Sequence, residues 1–158
     1  GRVVMATNAN RVVPDYLSSG RWEPRASLAT LANAMDVGNP SNMERVRHLY
    51  PDVGALREVV SSISVSDETI RETIARTFRA SGEIWCPHTA TALHARSLEK
   101  SGDWIVVSTA HAAKFNDVVE PLVGRTIEVP PALAELLDKP SVMTEITPDL
   151  SALKSALG

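Results

Sequence analysis

The chain has 158 residues, 44% of them hydrophobic and 22% charged, with a formal net charge of −3. This is about one domain's worth of polypeptide with enough apolar residues to bury a core, which excludes a disordered tail. The mild acidity without a basic stripe argues against nucleic-acid binding. A single cysteine, Cys86, excludes an internal disulfide framework and a multi-cysteine metal site, so we expect no metal. Without an apolar run of membrane-spanning length or a signal-peptide pattern, we expect a soluble, cytoplasmic protein.

The first apolar run, residues 3–7, predicts a short buried strand that starts almost at the first residue. A domain that opens inside its own sheet leads us to expect that the chain is part of a longer polypeptide. An engineered domain boundary is the alternative.

The elements that follow are predicted from periodicity and from helix start and stop signals. A loop with a helical turn is expected around the apolar island from Leu28 to Met35, a short extended piece at Glu83–Trp85, and a strand at Trp104–Ser108. A proline-rich surface stretch is expected after Val123. Side-chain caps, a proline at a first helical position and closing glycines predict helices. These are Val12 to Leu17, Ser41 or Asn42 through Leu49, Asp52 through Ser61, Ser66 to Ala80, His88 to Lys100, Ala113 to Val123 and Leu150 to Leu157.

Apolar strands separated by helices predict an α/β fold, with a largely parallel sheet covered by helices on both faces. In such sheets ligands bind beyond the carboxyl ends of the strands. The polar residues that follow the two predicted strands, 7–10 and 108–111, are therefore expected at the same edge.

Two of the polar clusters lie in the first third of the chain. Thr7–Asn10 could hold a phosphate or carboxylate. Asparagines are common in turns, however, and taken by itself this cluster is better explained as a hydrogen-bonded turn. The segment Asn33–Asn42 is either a ligand-facing loop or a helix end followed by a capped helix start. The residues alone leave that choice open.

Two further clusters lie in the second half. In Cys86–Thr91, one thiol and one imidazole are too few ligands for a closed zinc site. No other residues complete a protease-like catalytic group around the cysteine. The segment is expected in the first turn of a helix, where the backbone N–H groups favour anions. In Ser108–Phe115, Thr109 and His111 could meet a ligand. Lys114 is expected on a solvated face, since a lysine that forms an imine is kept in a dry pocket.

Taken together, these clusters resemble the C-terminal half of the threonine synthase family. The order and spacing of the motifs agree with that family over most of the chain, more weakly beyond about residue 125. The long stretch around Asn33 to Asn42 is far more specific than any single triplet. The resemblance is carried by residues 6–10, 13–14, 19–26, 30–42, 87–90 and 108–115.

The resemblance implies that residues 1–158 are the C-terminal segment of a pyridoxal-phosphate enzyme of the tryptophan-synthase-β-like fold (fold type II), mostly from its large cofactor domain. The intact enzyme is expected to be a carbon–oxygen lyase acting on phosphates, converting O-phospho-L-homoserine and water to L-threonine and phosphate in threonine biosynthesis. The cofactor is the electron sink, and the protein orients it. The Schiff-base lysine and the glycine-rich phosphate loop are expected in the N-terminal part, absent here, so this chain alone is expected to be inactive.

The resemblance also suggests site residues. Thr109 matches the hydroxyl that meets the cofactor's pyridine nitrogen. Cys86 stands near the expected cofactor edge, where the family usually has an acidic residue. The residues that match polar positions of the substrate or pocket motifs are Asn8, Asn10, Asp36, Asn39, His88 and His111.

Other readings remain open. Another pyridoxal-phosphate lyase, such as a threonine or serine dehydratase, would share the fold. A non-catalytic α/β module that binds a small molecule is the alternative from a different class. The expected partners are the missing N-terminal part of the same enzyme and the substrate, with a homodimer plausible.

Overall fold

The computed structural model describes residues 1–100, 102–137 and 139–158, and it is a mixed α/β structure with a small parallel sheet. Strand β1, Val3–Thr7, pairs in parallel with β2, Val60–Ser64, in a register that places Val3 opposite Val60 and Thr7 opposite Ser64. The predicted first strand and the α/β class are confirmed.

Strand β2 was not predicted, and the expectation of a helix through Ser61 was wrong. Helix α3, Val53–Val59, ends two residues earlier, and the chain continues directly into the strand. Two of the five residues, Val60 and Ile63, are β-branched and suit a pleated, half-buried surface. The decisive contribution is the ladder to β1, a partner more than fifty residues away, which a local pattern does not contain.

The helices otherwise follow the predicted order. The first 3-10 turn, Asn33–Met35, is the helical turn expected in the Leu28–Met35 island. The predicted helix from Ala113 to Val123 is divided into a second 3-10 turn, Ala112–Phe115, and an α-helix. The α-helices are α1 Val12–Ser19, α2 Met43–Leu49, α3 Val53–Val59, α4 Asp67–Ser81, α5 Pro87–Leu98, α6 Asn116–Val123, α7 Pro131–Leu137 and α8 Leu150–Leu157. In this described part, no helix is long and apolar enough to cross a membrane.

Helix α4 shows how local signals determine an element. Ser66 Oγ accepts a hydrogen bond from the Thr69 N–H at 3.2 Å, and Gly82 ends the helix at a φ of 74°, in the left-handed region. The side chains of Ile70 and Ile74, four residues apart on one face of the helix, are completely buried. This helix packs against α5 and α6 and so joins the two helices that lead into and out of the later polar clusters.

The chain divides into two compact units, residues 1–127 and 128–158. In the first, a core cluster forms where α1, α2, α3 and β2 meet. Its members are Val13, Tyr16, Leu17, Met43, Leu56 and Val60.

The second unit contains α7 and α8. Helix α7 lies in the stretch predicted only as a proline-rich surface, with Pro131 at its first position. Asp149 caps α8 by accepting from the Ala152 N–H at 2.8 Å. Hydrogen bonds from the hydroxyl of Thr147, the Ala152 N–H and the hydroxyl of Ser151 lower the pKa of Asp149 to about 2.

The strand predicted at Trp104–Ser108 was wrong. Among the described residues this segment pairs with no other strand, and β1 and β2 form the sheet alone. Ile105 is 92% exposed and Val107 is 71% exposed. An apolar run becomes a strand only where a neighbouring strand offers a ladder. The predicted extended piece at Glu83–Trp85 likewise has no strand pairing.

The buried face of α4 leads to a first prediction. Replacing Ile70, which is 0% exposed, by alanine should lower the free energy of unfolding by about 2–5 kcal/mol, because a cavity is left in a packed region. Urea unfolding followed by circular dichroism measures it. The matched control is Ile105→Ala, which removes the same atoms from an exposed position and should change stability little. Equal losses in both variants would contradict the assignment of α4 to the core.

Candidate functional site

The candidate site begins at the carboxyl end of β1, where Asn8 is fully buried. Its Nδ2 donates to Thr30 Oγ1 at 2.7 Å, to the Ala32 carbonyl at 3.1 Å and to Asp36 Oδ1 at 2.7 Å. Its Oδ1 accepts from the backbone N–H and the side-chain amide of Asn10, at 2.9 and 3.0 Å. Both ends of the Asn8 side chain are therefore occupied by the protein itself.

Asp36 is the centre to which these donors point. Its Oδ1 accepts from Asn8 Nδ2 at 2.7 Å, from Thr30 Oγ1 at 2.8 Å and from Asn10 Nδ2 at 3.2 Å, while Oδ2 accepts from the Thr30 N–H at 2.9 Å. We call these four residues, Asn8, Asn10, Thr30 and Asp36, the Asp36 network. Hydrogen bonds to an ionised acceptor are stronger than neutral ones, so the network holds the loop of residues 28–38 on the end of β1.

The far end of this loop closes through a tight backbone approach. The Arg25 N–H donates to the Gly38 carbonyl at 2.9 Å, and the Gly38 N–H donates to Ser27 Oγ at 3.0 Å. A Cβ on residue 38 would lie 1.9 Å from the Arg25 carbonyl oxygen, so only glycine fits. The glycine in the Asp36–Asn39 stretch is therefore explained by packing.

His88 connects the loop to the first turn of α5. The Ala34 N–H donates to His88 Nε2 at 2.9 Å, and the imidazole packs on the Phe115 ring with centroids 5.0 Å apart. Burial lowers the pKa of His88 from its ordinary value; the charge of Asp36 opposes that shift, and the charge of Lys114 adds to it. His88 thus sits between the first loop and the second 3-10 turn.

The same turn of α5 reaches the segment that carries Thr109. Cys86, 1% exposed, caps the helix, with Sγ accepting from the Thr89 N–H at 3.5 Å. The hydroxyl of Thr89 shares a hydrogen bond of 2.8 Å with the hydroxyl of Ser108, the residue before Thr109. All four polar clusters are therefore joined within residues 1–127: the β1 end to the loop, the loop to His88, and α5 to Ser108.

The predicted site residues occupy different positions in this arrangement. Asn8, Asn10, Asp36 and His88 are joined by the contacts above. Asn39 lies apart from the Asp36 network, and its exposed Oδ1 accepts from Trp22 Nε1 at 3.3 Å. His111 is exposed and caps the second 3-10 turn, its Nδ1 accepting from the Ala113 N–H at 3.2 Å.

The two residues expected to contact the cofactor differ in exposure. Thr109 is exposed. Cys86 is enclosed, and its thiol is used as a helix cap. Within residues 1–100, 102–137 and 139–158, no group of three His, Cys, Asp or Glu side chains could hold a metal ion.

Several connecting residues were not selected from the sequence as site residues. Thr30 is a full member of the Asp36 network, and Asp67 on α4 accepts from the Leu31 N–H at 3.1 Å. Ser108 joins the last segment to α5. Ser108 and Thr30 both lie inside the motifs noted above, but nothing local distinguishes a hydroxyl that bridges two segments from one that faces water.

The sequence is similar to proteins of known family. Residues 88–157 match the family model described as threonine synthase, C-terminal. The chain is 38% identical over 159 residues to the threonine synthase of Escherichia coli K12, covering 99% of this chain and 37% of that protein. The chain is thus similar to threonine synthases, and its residues 88–157 to their C-terminal part. The resemblance seen in the sequence is thereby confirmed.

Solved threonine synthase structures share the fold. The crystal structure of the Escherichia coli threonine synthase superposes with a TM-score of 0.81 at 36% identity, over 99% of this chain and 37% of that one. A PLP-bound threonine synthase from Brucella melitensis superposes with a TM-score of 0.78 at 24% identity, over 99% of this chain and 39% of that one, which supports the fold. The chain thus spans little more than a third of the length of the relatives it matches.

The Asp36 network yields a second prediction. Asp36→Asn keeps one acceptor oxygen but turns an NH₂ group toward a donor, so stability should fall by about 1–3 kcal/mol, and the 28–38 loop should become more open to proteolysis. Urea unfolding and limited proteolysis measure the two effects. Glu58→Gln, the same change on an exposed face of α3, is the control and should alter neither. An unchanged loop in Asp36→Asn would contradict the network's role.

Proposed function

We propose that this chain is the C-terminal part of a pyridoxal-phosphate-dependent threonine synthase. The intact enzyme would act as a carbon–oxygen lyase on O-phospho-L-homoserine, giving L-threonine and phosphate. The observation that carries the proposal is the homology over 99% of the chain to proteins of this activity. Its support within the structure is that the four polar clusters of the motifs are joined into one connected region.

The residues present fit one side of a cofactor site. Pyridoxal phosphate supplies an electron sink when bound, and a neutral hydroxyl can meet its ring nitrogen without holding that nitrogen protonated as a carboxylate would. The exposed hydroxyl of Thr109 is available for this role. Its position follows from the bond between Ser108 and Thr89, since the preceding residue is held to the start of α5.

The other site residues divide by exposure in our proposal. His111 and Asn39 face outward and could contact the substrate. Asn8, Asn10 and Asp36 support the loop, because their polar atoms are engaged with one another. Cys86 acts as a helix cap beside the cofactor edge.

The catalytic lysine would come from polypeptide outside this chain. The four lysines of the sequence, Lys100, Lys114, Lys139 and Lys154, are all exposed. An amine that forms an imine at neutral pH is kept in a dry pocket, where desolvation lowers its pKa. We therefore propose that residues 1–158, mostly large cofactor domain, are inactive until combined with the preceding part of the enzyme. We further propose that the intact enzyme is cytoplasmic and forms a homodimer.

A third prediction tests this function. The chain would be fused to the preceding part of the Escherichia coli relative and assayed for phosphate release from O-phosphohomoserine. The fusion should release phosphate, and the isolated chain should release none. Thr109→Val should lower kcat by about tenfold, equivalent to roughly 1.4 kcal/mol, because it removes the hydroxyl at constant size, whereas Thr109→Ser should retain activity.

The control is Thr126→Val, which makes the same change at another exposed threonine and should leave kcat unchanged. A fusion that folds and binds pyridoxal phosphate, shown by its absorbance, yet releases no phosphate would contradict the proposal. Release of ammonia from threonine or serine would indicate a dehydratase instead. Full activity in Thr109→Val would remove Thr109 from the cofactor site.

A further inference from the structure

The bond between Ala34 and His88 restricts the chemical state of the imidazole. A backbone N–H can only donate, so His88 Nε2, 2.9 Å away, must keep its lone pair. The neutral ring then carries its hydrogen on Nδ1. Within the part of the chain that the structure describes, Nδ1 is buried and meets no hydrogen-bond partner.

We propose that His88 is a positioning residue whose neutral imidazole couples the loop of residues 28–38 to α5, and that a proton added at Nε2 releases this coupling. The added proton occupies the lone pair that accepts from Ala34, so an acceptor becomes a second donor and the hydrogen bond is lost. No other bond is made or broken. This coupling goes beyond the proposed function and depends only on contacts within residues 1–127.

The elements packed around His88 define its electrostatic surroundings. Asp36 faces it from the loop and Lys114 from the second 3-10 turn, with opposite effects on its pKa. Strand β1, which also contacts α5, carries no charged residue. On α4, Asp67 accepts from the Leu31 N–H, and the other charged side chains are exposed: Glu68, Arg71, Glu72, Arg76 and Arg79.

Two features favour the neutral ring in the folded chain. A second N–H at Nε2 would point at the N–H of Ala34, and the buried Nδ1–H meets no acceptor among the described residues. Both act against the cation more than against the neutral form. The charge of Asp36 favours the cation but does not prevail, since burial, the larger effect, leaves the pKa of His88 below 6.5.

The pH dependence follows from this direction. Above pH 6.5, the ordinary pKa, both the folded and the unfolded chain hold His88 neutral, and the contribution to stability is fully present. As the pH falls below 6.5, the unfolded chain takes up the proton first, so stability declines until the pH passes the lower pKa of the folded chain. The hydrogen bond from Ala34 is lost as the pH falls through the pKa of His88 in the folded chain.

The release would be confined to the contact between Ala34 and His88. The other side of the loop remains tied to β1 by the Asp36 network, whose bonds do not involve His88. What loosens is the connection between Ala34 and the first turn of α5, the turn that holds Ser108 through Thr89. Protonation thus removes the hydrogen bond between the loop and the turn of α5 that holds Ser108, the residue before Thr109.

A fourth prediction tests the coupling by NMR on the full 158-residue chain. A long-range ¹H–¹⁵N spectrum at pH 7.5 should show His88 as the Nδ1–H tautomer. On acidification, the Ala34 amide resonance and the His88 ring should titrate together, with one midpoint below 6.5. The Nε2–H tautomer, a His88 midpoint at or above 6.5, or an Ala34 amide that does not respond to His88 would overturn the proposal.

Two variants separate the coupling from general acid sensitivity. His88→Gln offers a side-chain oxygen that accepts at every pH, so the Ala34 amide should lose its titration while the loop stays ordered. Asp36→Asn removes a negative charge that favours the protonated form of His88. As long as the Ala34–His88 hydrogen bond persists in this variant, the titration midpoint of His88 should be lower than in the wild type. His48→Gln, on the exposed side of α2, is the control and should leave the Ala34 titration unchanged. An Ala34 titration that persists in His88→Gln would overturn the coupling even if the wild-type midpoints coincide.

Discussion

The carboxylate of Asp36 is the interaction on which the candidate site depends. It gathers donors from the end of β1 and from the loop that follows α1, two segments that no secondary-structure ladder joins. The donors around this ionised acceptor are themselves held in place by further hydrogen bonds. Asn8 accepts from the side chain of Asn10, and Thr30 accepts from the side-chain amide of Asn8. Such a network is cooperative, since removing one member leaves buried partners unpaired. The position of the loop, and with it that of the Ala34 N–H that donates to His88, depends on this network.

Where local signals and tertiary contacts agreed, the fold could be predicted from the sequence. Ser66 with Gly82, and Pro87 after Cys86, marked α4 and α5 because caps and glycine stops act within a few residues. Where they disagreed, the prediction failed. The run at 60–64 became a strand because β1 lies beside it, and the more apolar run at 104–108 did not, because no described strand does. Hydrophobicity indicates that a strand is possible, and only the neighbouring strand decides it.

The sequence was enough to predict several residues of the candidate site, but not which of them form hydrogen bonds with one another. Asn8, Asn10, Asp36 and His88 stood out because amides, a carboxylate and an imidazole cluster beside predicted strand and helix ends. Which of them bond to each other depends on contacts between segments some twenty to fifty residues apart, such as Asn8 with Asp36 and Ala34 with His88. The sequence therefore could not distinguish residues that face a ligand from residues that hold the wall behind it.

Hydrogen-bond capacity provides that distinction. A buried amide whose donors and acceptor are all engaged, as in Asn8, has nothing left to offer a ligand, and moving it would leave several groups unsatisfied. Thr109 and His111 differ, since both are exposed beside the segment that Thr89 holds through Ser108. The motif residues thus form two layers: an inner one that fixes the loops through internal bonds, and an outer one that is open to solvent. Substitutions in the inner layer act on stability and loop order first, and on any bound ligand only through the position of the outer layer.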